Sequence, residues 1–542
     1  MTTQDGKKRD PDTLHATDSL DTGTVDDIFK VAAKGSSDDL DDAILRANGH
    51  EAVLERQFSW LSAFGLGFSI TNSWLGYLSC FGQNLVYGGP QTVIFGLIVA
   101  FAVQSTITMG LSELASAFPS SGGQYHFCYI LAPPRTRRFA AYVIGWMSVL
   151  AWWIVTCSGI SLAAVTLLGI VRFFHEDFVA QSWHTYLVYV ATGTVTMIPL
   201  FVAPKKITWT VQASLYLSLV GCATLFVTVL AMKGKTQSRS FITQPGLGSS
   251  GWSDSTAWLL AISNAMYTFG GTDGAIHISE EMHLPGRRVP QIMGVTLVVG
   301  LLSSLPLFIA LMFCMTDLDA VRSSPLPSLE IIYQATGSRV ATSILMIWAL
   351  AAYIVCLSAQ WVTSGRIAWA FARDGGVPFA TFFSKIDERL EFPVRTTVAA
   401  FAFVCLYGLL YLASTTAFNS IVTSAVLFLN ITYVVPQAIV LVQGRGKSLP
   451  TRYLRLGYLG YFCNGFSMLW IVVLGVTICM PPSLPVTVGS MNYTSVCLVG
   501  LFSIIICFWF TTGKNFKGPQ IDRDAIQAAN ALSQKKLKHS PA

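Results

Sequence analysis

The sequence predicts an all-α polytopic membrane protein with twelve transmembrane helices. Three observations carry this: 52% of the 542 residues are hydrophobic, only 12% are charged, and long stretches hold no Asp, Glu, Lys or Arg at all. Soluble domains carry roughly 25% charged residues. A soluble fold of this length and composition would leave too much apolar surface uncovered.

A spanning helix needs about 20 apolar residues to cross about 30 Å of hydrocarbon. The charge-free stretch 57–112 is long enough for two helices, and single helices fit 139–171, 178–204 and 207–232. One more fits 254–280 if it tolerates Asp273. Single helices follow at 289–316 and 340–365, and two each fit 396–444 and 456–513.

Orientation follows from the cations, because Lys and Arg mark cytoplasmic loops. With the N-terminus in the cytosol, the inner loops hold clusters such as Arg135, Arg137 and Arg138, Lys205 and Lys206, Arg287 and Arg288, and Arg445, Lys447, Arg452 and Arg455. The outer loops hold scattered cations such as Arg172, Lys233 and Arg322. Both termini are then cytosolic. Residues 1–56 contain seven basic and thirteen acidic residues and no long apolar run, and read as a flexible, disordered acidic tail. The membrane domain occupies 57–513, and a basic tail 514–542 follows. No signal peptide is recognised, so the first helix is expected to act as an uncleaved insertion signal. Outside the acidic tail the net charge is about twelve positive, which suits anionic lipid headgroups rather than nucleic acid.

Eleven cysteines are spread singly, with no C-x-x-C pair and no metal-ligand spacing, and are expected to be buried free thiols. Neither a metal nor a cofactor is expected. No Walker loop, nucleophile elbow or H-E-x-x-H occurs, which argues against ATP-driven pumping and against an enzyme. Asn492-Tyr-Thr is a glycosylation sequon in the predicted outer loop before the last helix, close to the membrane.

Two apolar segments are interrupted by small hydrogen-bonding residues: FGLGFSITNSWLG at 64–76 and YTFGGTDGAIHISEE at 267–281. Glycine weakens a helix by about 1 kcal/mol relative to alanine. In lipid, the freed backbone groups must find partners in protein, water or ligand. Such paired breaks point to a transporter's binding site.

Three further motifs fall on the predicted inner side: SELASAFPSSGGQYHF at 112–127, HLPGRRVP at 283–290 and SGRIAWAFARDGGVP at 364–378. With FSITNSW and FGGTDG, they resemble the amino acid, polyamine and organocation transporter superfamily, and within it the fungal branch of amino acid, choline and GABA permeases. The resemblance spans about 57–513 and implies two five-helix inverted repeats, 57–233 and 254–444. It also implies peripheral helices 11 and 12 over 456–513, and helices 1 and 6 unwound at mid-membrane. The glycine interruptions lie where that resemblance expects them.

At the first break, Ser69, Ile70, Thr71, Asn72 and Ser73 expose N–H groups at the start of a half-helix, where the dipole favours a carboxylate. The same small residues also suit close helix packing. At the second, Phe269, Gly270, Gly271 and Thr272 line the turn before Asp273. An ionisable residue at this depth is costly and usually functional. Asp273 either binds a substrate ammonium, takes up a coupling proton, or caps the following half-helix. Tyr267 and Phe269, by position, lead the aromatic candidates for a cation–π contact with an amine, ahead of Trp74 and Tyr77. Glu113, Arg366, Glu280 and Arg287 are candidates for an inner gate of ion pairs, alongside Glu281, Arg288, Arg373 and Asp374. Simple membrane-surface charge is the alternative for these residues.

The expected function is secondary active import, by alternating access, of a small amine: an amino acid, GABA or choline. The proton is the expected coupling ion and the plasma membrane the expected site. Movement of a specialised metabolite in either direction, and nutrient sensing without transport, are the alternatives. A channel is disfavoured by the paired breaks.

Overall fold

The computed structural model describes residues 37–175, 177–413, 415–487 and 491–539. Residues 1–36 of the expected acidic tail lie outside the described residues. A helix Ser37–Ala47 (α1) precedes the first apolar segment, which is helical in two pieces, Trp60–Thr71 (α2) and Ser73–Gly88 (α3). There follow Pro90–Ala117 (α4), the short Gln124–Leu131 (α5), Arg137–Phe174 (α6), Ser182–Val202 (α7) and Ile207–Met232 (α8). The second interrupted segment begins with Asp254–Ala265 (α9), followed by Pro285–Cys314 (α10), Arg339–Arg373 (α11), Val394–Gly408 (α12) and Thr415–Gln443 (α13). Tyr458–Cys479 (α14), Thr494–Thr511 (α15) and Arg523–His539 (α16) complete the series. Among the described residues, ten helices are long and apolar enough to cross a membrane. Each overlaps a charge-free stretch singled out above, and several run on into charged residues at their ends.

The two interruptions have different lengths. The first is a single residue: Asn72 adopts a left-handed conformation (φ 32°, ψ 58°) that ends α2 and starts α3. The second runs through short 3-10 turns at Met266–Phe269, Thr272–Ala275 and Ser279–Glu281, with Gly271 at φ 78°. Only glycine takes that backbone conformation without strain. Its missing side chain also leaves room for Ile70, whose Cγ2 lies 2.7 Å from where a Cβ would stand. The two breaks are therefore packed against each other.

The breaks are enclosed by neighbours. α2 packs on α8 and α10, α3 on α9, α6 on α11 and α13, and α4 on α10. α7 and α15 lie at the periphery and turn Leu187, Val195, Ile198, Val499 and Phe502 outward. An outward apolar band of this kind suits lipid rather than water.

One expectation needs correction. The acidic stretch before residue 57 is not flexible throughout, because α1 is a folded helix with Leu40, Ala43, Ile44 and Ala47 buried. The spacing i, i+3, i+4, i+7 makes one apolar stripe, which the surrounding aspartates hide from a reading by net charge. α1 packs on α16, and the Leu284 N–H donates to the Asp41 carboxylate at 2.8 Å. The tail after residue 513 is likewise helical in α16, with Ala525, Ile526 and Ala529 buried.

Close helix approach generates a test. A Cβ on Gly65 of α2 would lie 2.8 Å from the Val211 carbonyl oxygen of α8, and backbone cannot swing away. Gly65→Ala is expected to destabilise the bundle by about 1–3 kcal/mol, as overpacking does. Thermal unfolding of the detergent-purified protein reads the shift.

Candidate substrate cavity and ionic cluster

Between the two breaks lies a cavity of about 700 Å³ of free space, including its open mouth. Ser69, Ile70, Thr71 and Asn72 line it from the first break, and Tyr267, Gly270 and Gly271 from the second. α6 contributes Gly159, α11 contributes Tyr353, Cys356 and Gln360, and α13 contributes Asn430. Among the described residues that line it there is no Asp, Glu, Lys, Arg or His.

Most polar side chains on the wall are already engaged. Ser69 Oγ donates to Ser214 Oγ (3.0 Å), and Thr71 bonds back to its own helix through the Gly67 and Phe68 carbonyls. Asn72 Nδ2 donates to Cys356 Sγ (2.9 Å) and its Oδ1 accepts from Ser218 (2.7 Å), so it ties α8 and α11 to the break. The Tyr267 hydroxyl meets Ser158 Oγ at 2.7 Å, and the Tyr353 hydroxyl donates to the Leu75 carbonyl at 2.7 Å. Two amide oxygens are left over: Gln360 Oε1 and Asn430 Oδ1 are buried without a donor. Asn430 Nδ2 donates to the Val426 carbonyl at 2.8 Å, which fixes Oδ1 as the free acceptor. α3 also begins without a side-chain cap, leaving its first N–H groups without helical partners.

Several predicted residues stand off the cavity. Ser73 faces α10, where a Cβ on Gly300 would lie 2.2 Å from its Oγ. Phe269 packs edge-on against Phe101, and Thr272 meets Thr108 at 3.3 Å. Asp273 is buried behind the turn, and its carboxylate meets four side chains. Gln124 Nε2 (2.6 Å), Trp152 Nε1 (3.1 Å) and His277 Nε2 (3.2 Å) meet Oδ2, while the Tyr433 hydroxyl donates to Oδ1. Side chains thus satisfy it, in place of the helix-capping N–H groups weighed above.

The ionic residues gather at the end of the bundle that carries α1. Arg366 forks onto Glu281, with Nη2 to Oε2 at 2.7 Å and Nε to Oε1, and Gln57 adds a bond to Oε2 at 2.7 Å. Arg373 pairs with Glu280 at 2.8 Å. Glu113 binds Arg452 at 2.6 Å and also Arg445, both from the connection between α13 and α14. Arg287 is exposed in the first turn of α10. Asp374 joins this end to the N-terminal segment through His50 at 3.0 Å and to α5 through Tyr125 at 2.9 Å.

Burial works to raise the pKa of Glu280, but the Arg373 guanidinium, His50 and the Ser121 N–H stabilise its charged form and hold it down at about 2. The eleven cysteines are all free, and Cys507 alone among them is exposed. Asn492 is half-buried, and the amide nitrogen that a glycan would occupy donates to the Ile478 and Met480 carbonyls.

The model of the amino acid permease family matches residues 58–502. The chain belongs to that family. The permease is 32% identical over 487 residues to a choline transporter of Saccharomyces cerevisiae, covering 88% of this chain and 85% of that one. It is 30% identical to the transmembrane transporter swnT of Metarhizium robertsii, covering 86% and 93% of the two chains. It is 27% identical to an amino-acid permease BAT1 homolog of Oryza sativa, covering 91% and 98%. The family and these relatives are transporters and permeases rather than enzymes, and the permease is an integral multi-pass membrane protein.

Sequence reasoning passed over Gln360, Asn430, Tyr353, Cys356 and His277. The amides carried a readable signal, since a lone Gln or Asn inside an apolar span is costly unless partnered or functional. Assigning them to one cavity required the fold.

Two outcomes are expected here. Arg366→Ala leaves the Glu281 carboxylate buried beside Gln57 alone and is expected to cost about 3–5 kcal/mol. The double variant with Glu281→Ala is expected to recover part of that loss in thermal unfolding. Because folding depresses the pKa of Glu280, its stabilisation is complete above its ordinary value of 4.5 and is lost as pH falls toward about 2. Glu280→Gln is expected to flatten unfolding temperature against pH across that window.

Proposed function

We propose that this permease is a secondary active importer of a small amine-containing solute, an amino acid, GABA or choline, moved with protons by alternating access. The observation that carries the reading is the cavity between the two breaks, where two free amide oxygens stand on a wall that, among the described residues, holds no ionised side chain. The uncapped N-terminus of α3 suits a carboxylate, because the helix dipole and free N–H groups favour an anion. Asn430 Oδ1 and Gln360 Oε1 suit the N–H or O–H donors of an amine or amino alcohol. The rings of Tyr267 and Tyr353 offer faces to its cationic end. The names of relatives, for choline and for amino acids, agree with such a solute.

Twelve crossings are proposed: the ten long helices, the α2–α3 segment and the segment that starts with α9. The end carrying α1, α16 and the arginine pairs lies in the cytosol, in keeping with its cations. The Arg366–Glu281 and Arg373–Glu280 pairs then close the cytosolic side, and their opening releases the solute inward. The plasma membrane is the proposed location. Asp273 is the proposed coupling group, since of the three buried carboxylates of the second break Glu280 and Glu281 are paired with arginines and, among the described residues, it is not.

The test is uptake of radiolabelled choline, GABA and a mixed amino acid panel in a permease-deficient fungal host, at acid and neutral outside pH. Saturable uptake of one solute, stronger at acid pH, is the expected result. No uptake of any, with the protein confirmed at the surface, overturns the import reading in favour of export, a specialised metabolite or sensing. Asp273→Asn is expected to abolish gradient-driven accumulation while counterflow exchange survives in part. Asn430→Leu is expected to weaken apparent affinity about tenfold to a hundredfold, the worth of a hydrogen bond to a charged group.

A further inference from the structure

The geometry points to His277 as the side chain that carries the transported proton, with Asp273 as its fixed counter-charge; this rests on the proton-coupled reading above. His277 is fully buried and lies four residues after Asp273. Its Nδ1 stands 2.9 Å from the Ser121 carbonyl oxygen and its Nε2 stands 3.2 Å from Asp273 Oδ2. A carbonyl oxygen only accepts, so Nδ1 must carry a hydrogen. A neutral ring with that hydrogen has a bare lone pair on Nε2, and this lone pair would face a carboxylate oxygen. The other neutral tautomer satisfies Asp273 and sets a bare Nδ1 against the carbonyl. Either neutral form leaves two acceptors face to face, and one additional proton removes the conflict at both ends.

The partners of Asp273 decide where that proton rests. Gln124 and Trp152 donate to Oδ2 and Tyr433 donates to Oδ1, and hydrogen bonds to the charged form favour it. The carboxylate stays ionised and the ring becomes the imidazolium. The titratable groups facing the pair are Tyr433 of α13, bonded to Asp273, and Glu280, joined to it through Ser121. From α5 and α6 the partners are the uncharged Gln124 and Trp152. Unloading breaks one N–H bond of the ring, leaves the electron pair on nitrogen and passes the proton to water on whichever side the site has opened.

The same ring reaches the connection between α4 and α5. Ser121, whose carbonyl meets Nδ1, also donates its N–H to Glu280 Oε1 at 3.0 Å, and Glu280 is paired with Arg373. Gly123, at φ 58°, brings the connection so close that a Cβ there would lie 3.0 Å from His277 Cε1. With the proton bound, the ring bridges Asp273 to this connection. Without it, one of the two contacts turns repulsive, and the hold on the segment leading to the Glu280–Arg373 pair weakens. Proton occupancy at the second break is thereby coupled to the ion pairs at the end of the bundle.

The experiment uses the full chain and two substitutions. His277→Asn keeps a donor toward Ser121 and His277→Gln keeps one toward Asp273, so each preserves part of the packing while neither binds a proton. In the permease-deficient host, uptake of choline, GABA and the amino acid panel is compared at acid and neutral outside pH. The expected result is acid stimulation in the parent, a ratio near unity in both variants, and surviving counterflow exchange. A second readout needs no solute. The Trp152 indole stands edge-on to the His277 ring, with centroids 5.8 Å apart, so its fluorescence reports ring charge. The difference between parent and Trp152→Phe emission is expected to titrate with pH, and this titration is expected to vanish in both His277 variants. Acid stimulation or Trp152 titration that persists in a folded His277 variant overturns the assignment and leaves coupling through Asp273 standing. A parent without acid stimulation overturns the coupling reading itself, and the Trp152 titration still tells whether His277 binds the proton.

Discussion

The Asp273 carboxylate is the constraint around which the centre of this bundle is organised. A charge at that depth persists only if it is surrounded by donors. The chain supplies them from α5, α6 and α13, through Gln124, Trp152 and Tyr433. Each donor comes from a different element, so the carboxylate fixes where those elements meet and holds the second break in register with its neighbours. The turn can then remain non-helical without leaving its polar groups bare. Gly271 and Gly274 let Ile70 press into the space they leave, which ties the first break to the second.

At the α1 end a second layer of charge does different work. Arg366 and Glu281 are both buried, and pairing offsets the desolvation that each would suffer alone. Such a pair adds little net stability over an apolar contact of the same volume, yet removing one partner is costly. It therefore resists small disturbance and yields only to a rearrangement that solvates both partners together. Gln57, which donates to the Glu281 carboxylate, and the Phe58 N–H, which donates to the Glu281 main-chain carbonyl, tie the segment just before α2 to this residue.

Much of the architecture was legible in the sequence because lipid makes charge placement a strict code. Every long apolar helix among the described residues overlaps a charge-free stretch, and both breaks fall where glycine and small polar residues interrupt apolar runs. The terminal helices were not legible, because α1 hides four apolar positions among aspartates and its partner α16 lies at the far end of the chain. The site was legible by region and less so by residue. Asn72 and Gly270 and Gly271 of the second break reach the cavity, whereas Ser73, Phe269 and Thr272 turn to other helices, since at a break the chain leaves helical periodicity and the direction of each side chain is set by the turn's own dihedrals. Glu113 shows the same limit: its need for a cation could be read, but that Arg445 and Arg452 supply it depends on how α4 packs against the α13–α14 connection.

The uncharged wall of the cavity has an electrical consequence. With no ionised side chain lining the space, the membrane potential finds little to act on there except the cargo and whatever ion travels with it. Each elementary charge carried across is worth about 2.3 kcal/mol per 100 mV. A net-neutral solute moving with one proton would carry a single positive charge inward per cycle, and the transport current would count turnovers directly.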